Sequence, residues 1–105
     1  MRQATRLRIG ALVAALGLGG CAFVPKDYPR LDEARRVHAR AQGDPLVARL
    51  APEELQKAGD FLERAIAARD TLDDPAVVDH FAYLAKQRSI IAVEVARQRA
   101  AAERR

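Results

Sequence analysis

The sequence predicts an all-α fold: an antiparallel helical hairpin with a shorter N-terminal helix beside it, a small three-helix bundle whose long C-terminal helix overhangs its partner. Three observations carry that expectation. Alanine dominates the apolar half of the composition, only 5% of residues are aromatic and tryptophan is absent, so the core must be thin and helical, not a broad β-sandwich or a deep enzyme cleft. Apolar residues recur at the 3.6-residue period over three separate stretches. Pro29, Pro52 and Pro75 each stand where such a stretch begins, and proline is favoured at a first helical position because the N–H it lacks would be unbonded there anyway.

Ahead of the helices the chain reads as an export signal. Residues 1–8 (MRQATRLR) are basic, and residues 9–20 (IGALVAALGLGG) form an apolar run of signal-peptide length. Even extended to Val24 the run has 16 residues before Pro25 and Lys26, short of the ~20 that span the hydrocarbon as a helix. Leu18-Gly19-Gly20-Cys21 resembles the lipobox of bacterial lipoprotein signals. Small side chains let an extended backbone enter the peptidase, and only a thiol can become the diacylglyceryl thioether of a new N-terminus. A single cysteine cannot form an internal disulfide, and lipidation accounts for it better than an ordinary cut ending at Ala22. The expected division is therefore residues 1–20 as signal peptide, 21–28 as lipidated Cys21 and tether, and 29–105 as one helical domain. More than one acyl chain, at ~0.8 kcal/mol per buried methylene, makes such an anchor stable. Ala22, where the sorting rule of enteric lipoproteins places Asp to retain a protein at the inner membrane, implies by that resemblance the periplasmic face of the outer membrane.

The charge balance follows from the same division. The chain holds 18 basic and 14 acidic residues, +4 in all; without Arg2, Arg6 and Arg8 of the leader it holds 15 against 14, or +1. A near-neutral body with interspersed signs lacks the cationic stripe that binding to nucleic acid requires.

The first helix is expected from Pro29 to a left-handed glycine cap at Gly43, with Leu31, Ala34, Val37, His38 and Ala41 along one side and Glu33, Arg36 and Arg40 facing away. Asp44-Pro45 opens a brief segment, Leu46, Val47 and Leu50, that could plug the end of a bundle. The second helix runs from Pro52, with Glu53 and Glu54 in the first turn where the dipole favours acids. It carries Leu55, Ala58, Phe61, Leu62, Ala65, Ile66 and Leu72 on one half. Asp73-Asp74-Pro75 breaks the pattern, with Asp74 as N-cap, and so short a connection implies antiparallel neighbours. The third helix runs to about Glu103, ~43 Å against ~30 Å for the second at 1.5 Å per residue, so its end must overhang. Its main apolar face is Val77, Phe81, Leu84, Ala85, Ile91, Ala92, Val95 and Ala96; Tyr83, Ile90 and Val93 lie well off it. Contact with both other helices from different sides is the preferred account of that second stripe, self-association the other.

Reactive constellations are missing. His38 and His80 sit on different helices with no second ligand at metal spacing, so no metal and no cofactor beyond the covalent lipid is expected; they read as a core-edge residue and a surface residue beside Phe81. No nucleophile elbow, phosphate-cradling glycine loop or haem-attachment motif is present, and Asp73 and Asp74 are placed for turn and capping duty. Arg69 and Arg88 project from apolar halves, and in a hairpin about Asp73 the Arg88 stem would lie opposite Ala58 and Gly59 with its head toward Glu54 or helix one.

The lipobox, the Ala-Pro-Glu-Glu-Leu-Gln-Lys-Ala start of helix two (residues 51–58), Phe61-Leu62-Glu63-Arg64-Ala65 and the Ala82, Ala85, Ala92, Ala96 spacing of helix three together resemble the bacterial lipoprotein family known as domain of unknown function 4398. The resemblance covers roughly residues 18–100 and implies a short lipidated helical domain, here without the OmpA-like peptidoglycan-binding domain of fused members. The expected role is non-enzymatic: an outer-membrane lipoprotein whose helices form an interaction or spacer module in the periplasm. Its partner is expected to be another envelope protein or a second copy, met through Tyr83, Ile90, Val93, Arg97 and Arg104. The alternative is an envelope assembly subunit that self-associates through the long C-terminal helix.

Overall fold

Each helix among the described residues starts on a proline. The computed structural model describes residues 28–72 and 74–105 and places four helices there: α1 Pro29–Gln42, α2 Pro45–Leu50, α3 Pro52–Thr71 and α4 Pro75–Glu103. The expected signal peptide, its cleavage site at Gly20 and Cys21, the tether up to Asp27, and Asp73 lie outside the described residues. Among the described residues there is no strand, and the fold is all-α as the sequence predicts.

Local chemistry fixes the helix starts. The Asp44 carboxylate accepts the Leu46 N–H at 2.9 Å and opens α2; Asp74 does the same for Ala76 at 3.0 Å and opens α4. Such an N-cap contributes about 1 kcal/mol by satisfying a donor that the first turn leaves free. Gly43 corrects one expectation. Its backbone is right-handed, with φ −79° and ψ −5°, because the chain turns directly into α2: the Gly43 N–H donates to Ala39 and the Asp44 N–H to Ala41.

Ion pairs and ring contacts fix the topology. Arg30 faces Asp79 and Glu33 faces Lys86, numbers that rise together, so α1 and α4 run in the same direction. Glu54 faces Arg88 and Phe61 faces Phe81, numbers that run oppositely, so α3 is antiparallel to both. The α3–α4 hairpin is the largest interface and α1 packs next most extensively on α4. Tyr28, which the sequence assigns to the tether, is buried with the first core cluster, and its carbonyl accepts the Asp32 N–H at 3.1 Å.

The core is an alanine seam. Among the described residues 15 hydrophobic ones are buried and 11 of these are alanines, whose short side chains allow helix backbones to approach closely. On α4 the buried positions are Val78, Ala82, Ala85, Ser89, Ala92, Ala96 and Ala100, alternating mostly by four and three residues as in a coiled-coil seam. This seam is rotated from the face expected from the large residues: Val77, Phe81, Leu84 and Val95 flank it half-buried, and Ile91 is 40% exposed. Antiparallel contact with Ala58, Ala65 and Ala68 of α3 selects the small positions and leaves the large ones at the edges. Leu72, expected on the apolar half of α3, is likewise exposed, because it caps the helix beyond its last packed turn.

A second cluster explains the overhang. Val47 of α2 and Ala51 pack with Ala92 and Ala96 of α4, flanked by Leu46, Leu50 and Val93. α2 thus lies along the part of α4 that outruns α3. Arg49 grips Glu103 through two bonds of 2.9 and 3.1 Å, and the Arg99 guanidinium donates to the Leu50 carbonyl. The overhanging end of α4 is therefore fastened to α2 through Glu103 and Arg99.

Candidate functional site

One step around α4 from the buried seam, Tyr83, Lys86, Ile90, Val93 and Arg97 recur at alternating spacings of three and four, which holds them on one edge of the helix. α1 lies alongside that edge, and the two helices enclose a valley. Its upper part is a groove of about 290 Å3 in which Val37 and Ala41 of α1 face Ile90 and Val93 of α4, with Arg40 and Arg97 beside them. Its lower part is a hollow of about 140 Å3 between the Glu33–Lys86 pair and Tyr83.

The residues expected to form a contact surface divide accordingly. Ile90, Val93 and Arg97 share the upper groove; Tyr83 belongs to the lower hollow and is 59% exposed. Ile90 is 44% exposed and Val93 is half-buried against the second core cluster. Arg104 lies at the C-terminal cap, past the groove. The preferred account of the second stripe holds in part: α1 does contact α4 from a side of its own, yet Tyr83 and Ile90 remain in solvent.

Electrostatics distinguish the two halves of the valley. In the lower half Lys86 donates to Glu33 at 2.6 Å, a contact that corrects the expectation that Glu33 faces away. The hydrogen bond and the charge of Lys86 hold the Glu33 carboxyl below its ordinary value of 4.5. Arg30 and Asp79 stand 3.9 Å apart beyond it. In the upper half Asp44 and Glu94 line the groove beside Arg40 and Arg97, but neither arginine forms an ion pair within 4 Å among the described residues. An apolar floor with unpaired arginines at its margins suits binding of another macromolecular surface, since both planar heads remain free to pair or stack.

The wall that α1 contributes, Val37, Arg40 and Ala41, was missed in the sequence, as was Lys86. The spacing of Lys86 within the stripe Tyr83-Lys86-Ile90 was the available signal.

The opposite valley, between α1 and α3, is more polar. His38 lines it with Asp60 and Glu63, and burial pushes the His38 imidazole below its ordinary 6.5. Gly59 is faced by His38, not by Arg88: a side chain added at Gly59 would meet the imidazole Nε2 at 3.5 Å. Arg88 instead reaches Glu54 at 3.9 Å, the partner expected for it. Arg69 pairs with its neighbour Asp70 at 2.9 Å. His80 is exposed, its ring 5.4 Å from Phe81.

The Ser89 and Thr71 hydroxyls are committed to the backbone. Ser89 donates to Ala85 at 2.8 Å and Thr71 to Ala67 at 2.6 Å, each to the carbonyl four residues back. Among the described residues no group of three His, Cys, Asp or Glu converges as a metal site, and no helix is long and apolar enough to cross a membrane.

Compared with known proteins, residues 29–105 match the model of a family described as a domain of unknown function (DUF4398). No curated protein and no solved structure matches the chain.

Proposed function

The chain belongs to the DUF4398 family over residues 29–105, and from that membership and its leader we propose that it is an outer-membrane lipoprotein, held through Cys21 and facing the periplasm. Its helical domain serves there as a non-enzymatic interaction or spacer module. The order of features ahead of the domain carries the reading: a basic start, an apolar run too short to span, and Leu18-Gly19-Gly20-Cys21 directly before the short stretch that leads to Pro29. The domain is consistent with a binding role, since the α1/α4 valley combines an apolar floor with two arginines that form no ion pair among the described residues. A second reading, an assembly subunit that self-associates through α4, is favoured by the exposed stripe of Tyr83 and Ile90.

Intact mass of the protein extracted from its native envelope tests the anchor. A multiply acylated chain beginning at Cys21 is expected. An unacylated chain beginning after Ala22, or one retaining Met1, overturns it. Cys21→Ser is expected to move the protein out of the membrane fraction, and persistence there counts against a lipid anchor.

A further inference from the structure

We propose that the occupant of the α1/α4 valley is a second copy of the same chain, docked antiparallel about a two-fold axis that passes beside Ile90. The proposal rests on the reading of this valley as a contact surface and names its partner.

The stripe is self-complementary. An antiparallel two-fold axis at Ile90 exchanges residues equally far on either side of it, and Tyr83 and Arg97 are each seven positions away. Seven residues are two turns, so both lie on the same edge of α4 as Ile90. The phenol of one copy, 59% exposed, then meets the unpaired guanidinium of the other, a cation–π pairing made twice. At the axis the two Ile90 side chains cover each other.

The charges on α1 agree. The same operation sets α1 antiparallel to its copy about Val37, because α1 and α4 run in the same direction and share the groove at Val37 and Ile90. Arg40, three positions beyond Val37, comes alongside Glu33 of the other copy, four positions before it. Arg40 thereby approaches an acid that in its own chain is hydrogen-bonded to Lys86 and feels the charges of Arg36 and Arg30. An isologous contact of this kind closes after two copies.

Disulfide trapping of the full chain in its native envelope tests the arrangement, because two cysteines join only when their Cα atoms come within about 7 Å. The unsubstituted chain, with Cys21 as its single thiol, sets the background. Ile90→Cys is expected to give a covalent dimer, and Asp60→Cys in the opposite, α1/α3 valley none. Tyr83→Cys and Arg97→Cys are each expected to stay monomeric alone and to dimerise when made together. Dimers from Tyr83→Cys alone or from Arg97→Cys alone would overturn the proposal, because the antiparallel axis sets each of these positions 14 residues, about 21 Å along the helix, from its own counterpart. Monomers throughout, equal trapping at Asp60→Cys, or a link from Ile90→Cys only to a different protein also overturn it. Fractionating the same samples separates this outcome from the anchored reading: dimers recovered in the soluble fraction sink the anchor and leave the two-fold contact standing.

Discussion

Arg49 and Glu103, 54 positions apart, meet through a two-pronged ion pair of 2.9 and 3.1 Å that fastens the last turn of α4 to α2. The Arg49 hydrogen bond holds the Glu103 carboxyl below its ordinary 4.5 and raises the Arg49 value in return. A carboxylate whose folded value is depressed adds stability above its unfolded value and loses it as the pH falls through the folded value. Both groups are exposed, so the expected effect is local fraying. Arg49→Ala should return the Glu103 titration, followed by NMR, toward 4.5 and speed amide exchange over the last two turns of α4. Unchanged exchange there would mean that Val47, Ala51 and the Arg99–Leu50 hydrogen bond suffice to hold the end.

Ala65 lies fully buried in the first core cluster, where added methylenes have nowhere to go. Ala65→Leu is expected to lower stability by about 1–3 kcal/mol, as overpacking of a close-packed core does. Ala67→Leu, on the exposed face of the same helix, should stay within about 0.5 kcal/mol of the parent. Equal denaturation midpoints for the two variants would show that the seam is not tightly packed.

Gly59 sits inside α3, and a Cβ there would make only an ordinary contact with His38 at 3.5 Å. Gly59→Ala should therefore stabilise the domain by about 0.5–1 kcal/mol, the difference in helix propensity, and raise Tm by several degrees. A lower Tm would mean that the imidazole cannot yield.

His38 makes stability depend on pH. Burial lowers its folded value below 6.5, so the unfolded chain takes up the proton first and stability falls as the pH drops below 6.5. Above 6.5 both states are neutral and this contribution is flat. Melts between pH 7 and pH 5 should show the decline in the parent and a shallower one in His38→Gln. Identical slopes would remove His38 as the cause.

Much of the architecture was legible because it is written in local signals. Pro29, Pro52 and Pro75 mark helix starts whatever the tertiary context, and Asp74 caps α4 as its place before Pro75 implies. The Arg88–Glu54 contact followed from counting back from a tight connection. The rotation of the α4 seam was less visible. Periodicity arguments weight Ile91 above Ala92, whereas a close antiparallel pair buries the smaller of two neighbours. Contacts such as Glu33–Lys86 depend on which flank of the hairpin α1 takes, a choice that residues 53 positions apart do not encode locally. For the same reason the α1 wall of the valley emerged only in three dimensions, while Tyr83, Ile90 and Val93 could be named from the α4 pattern alone.

The alanine seam has a thermodynamic consequence. Burying a long side chain freezes its rotamers at a cost of up to ~2 kcal/mol, whereas alanine has none to freeze. A core in which 11 of the 15 buried hydrophobic residues among those described are alanines gains little from each contact but surrenders almost no side-chain freedom on ordering. Its folding balance is therefore set mainly by the backbone, and the prolines that open all four helices reduce that term by narrowing what the unfolded chain can explore.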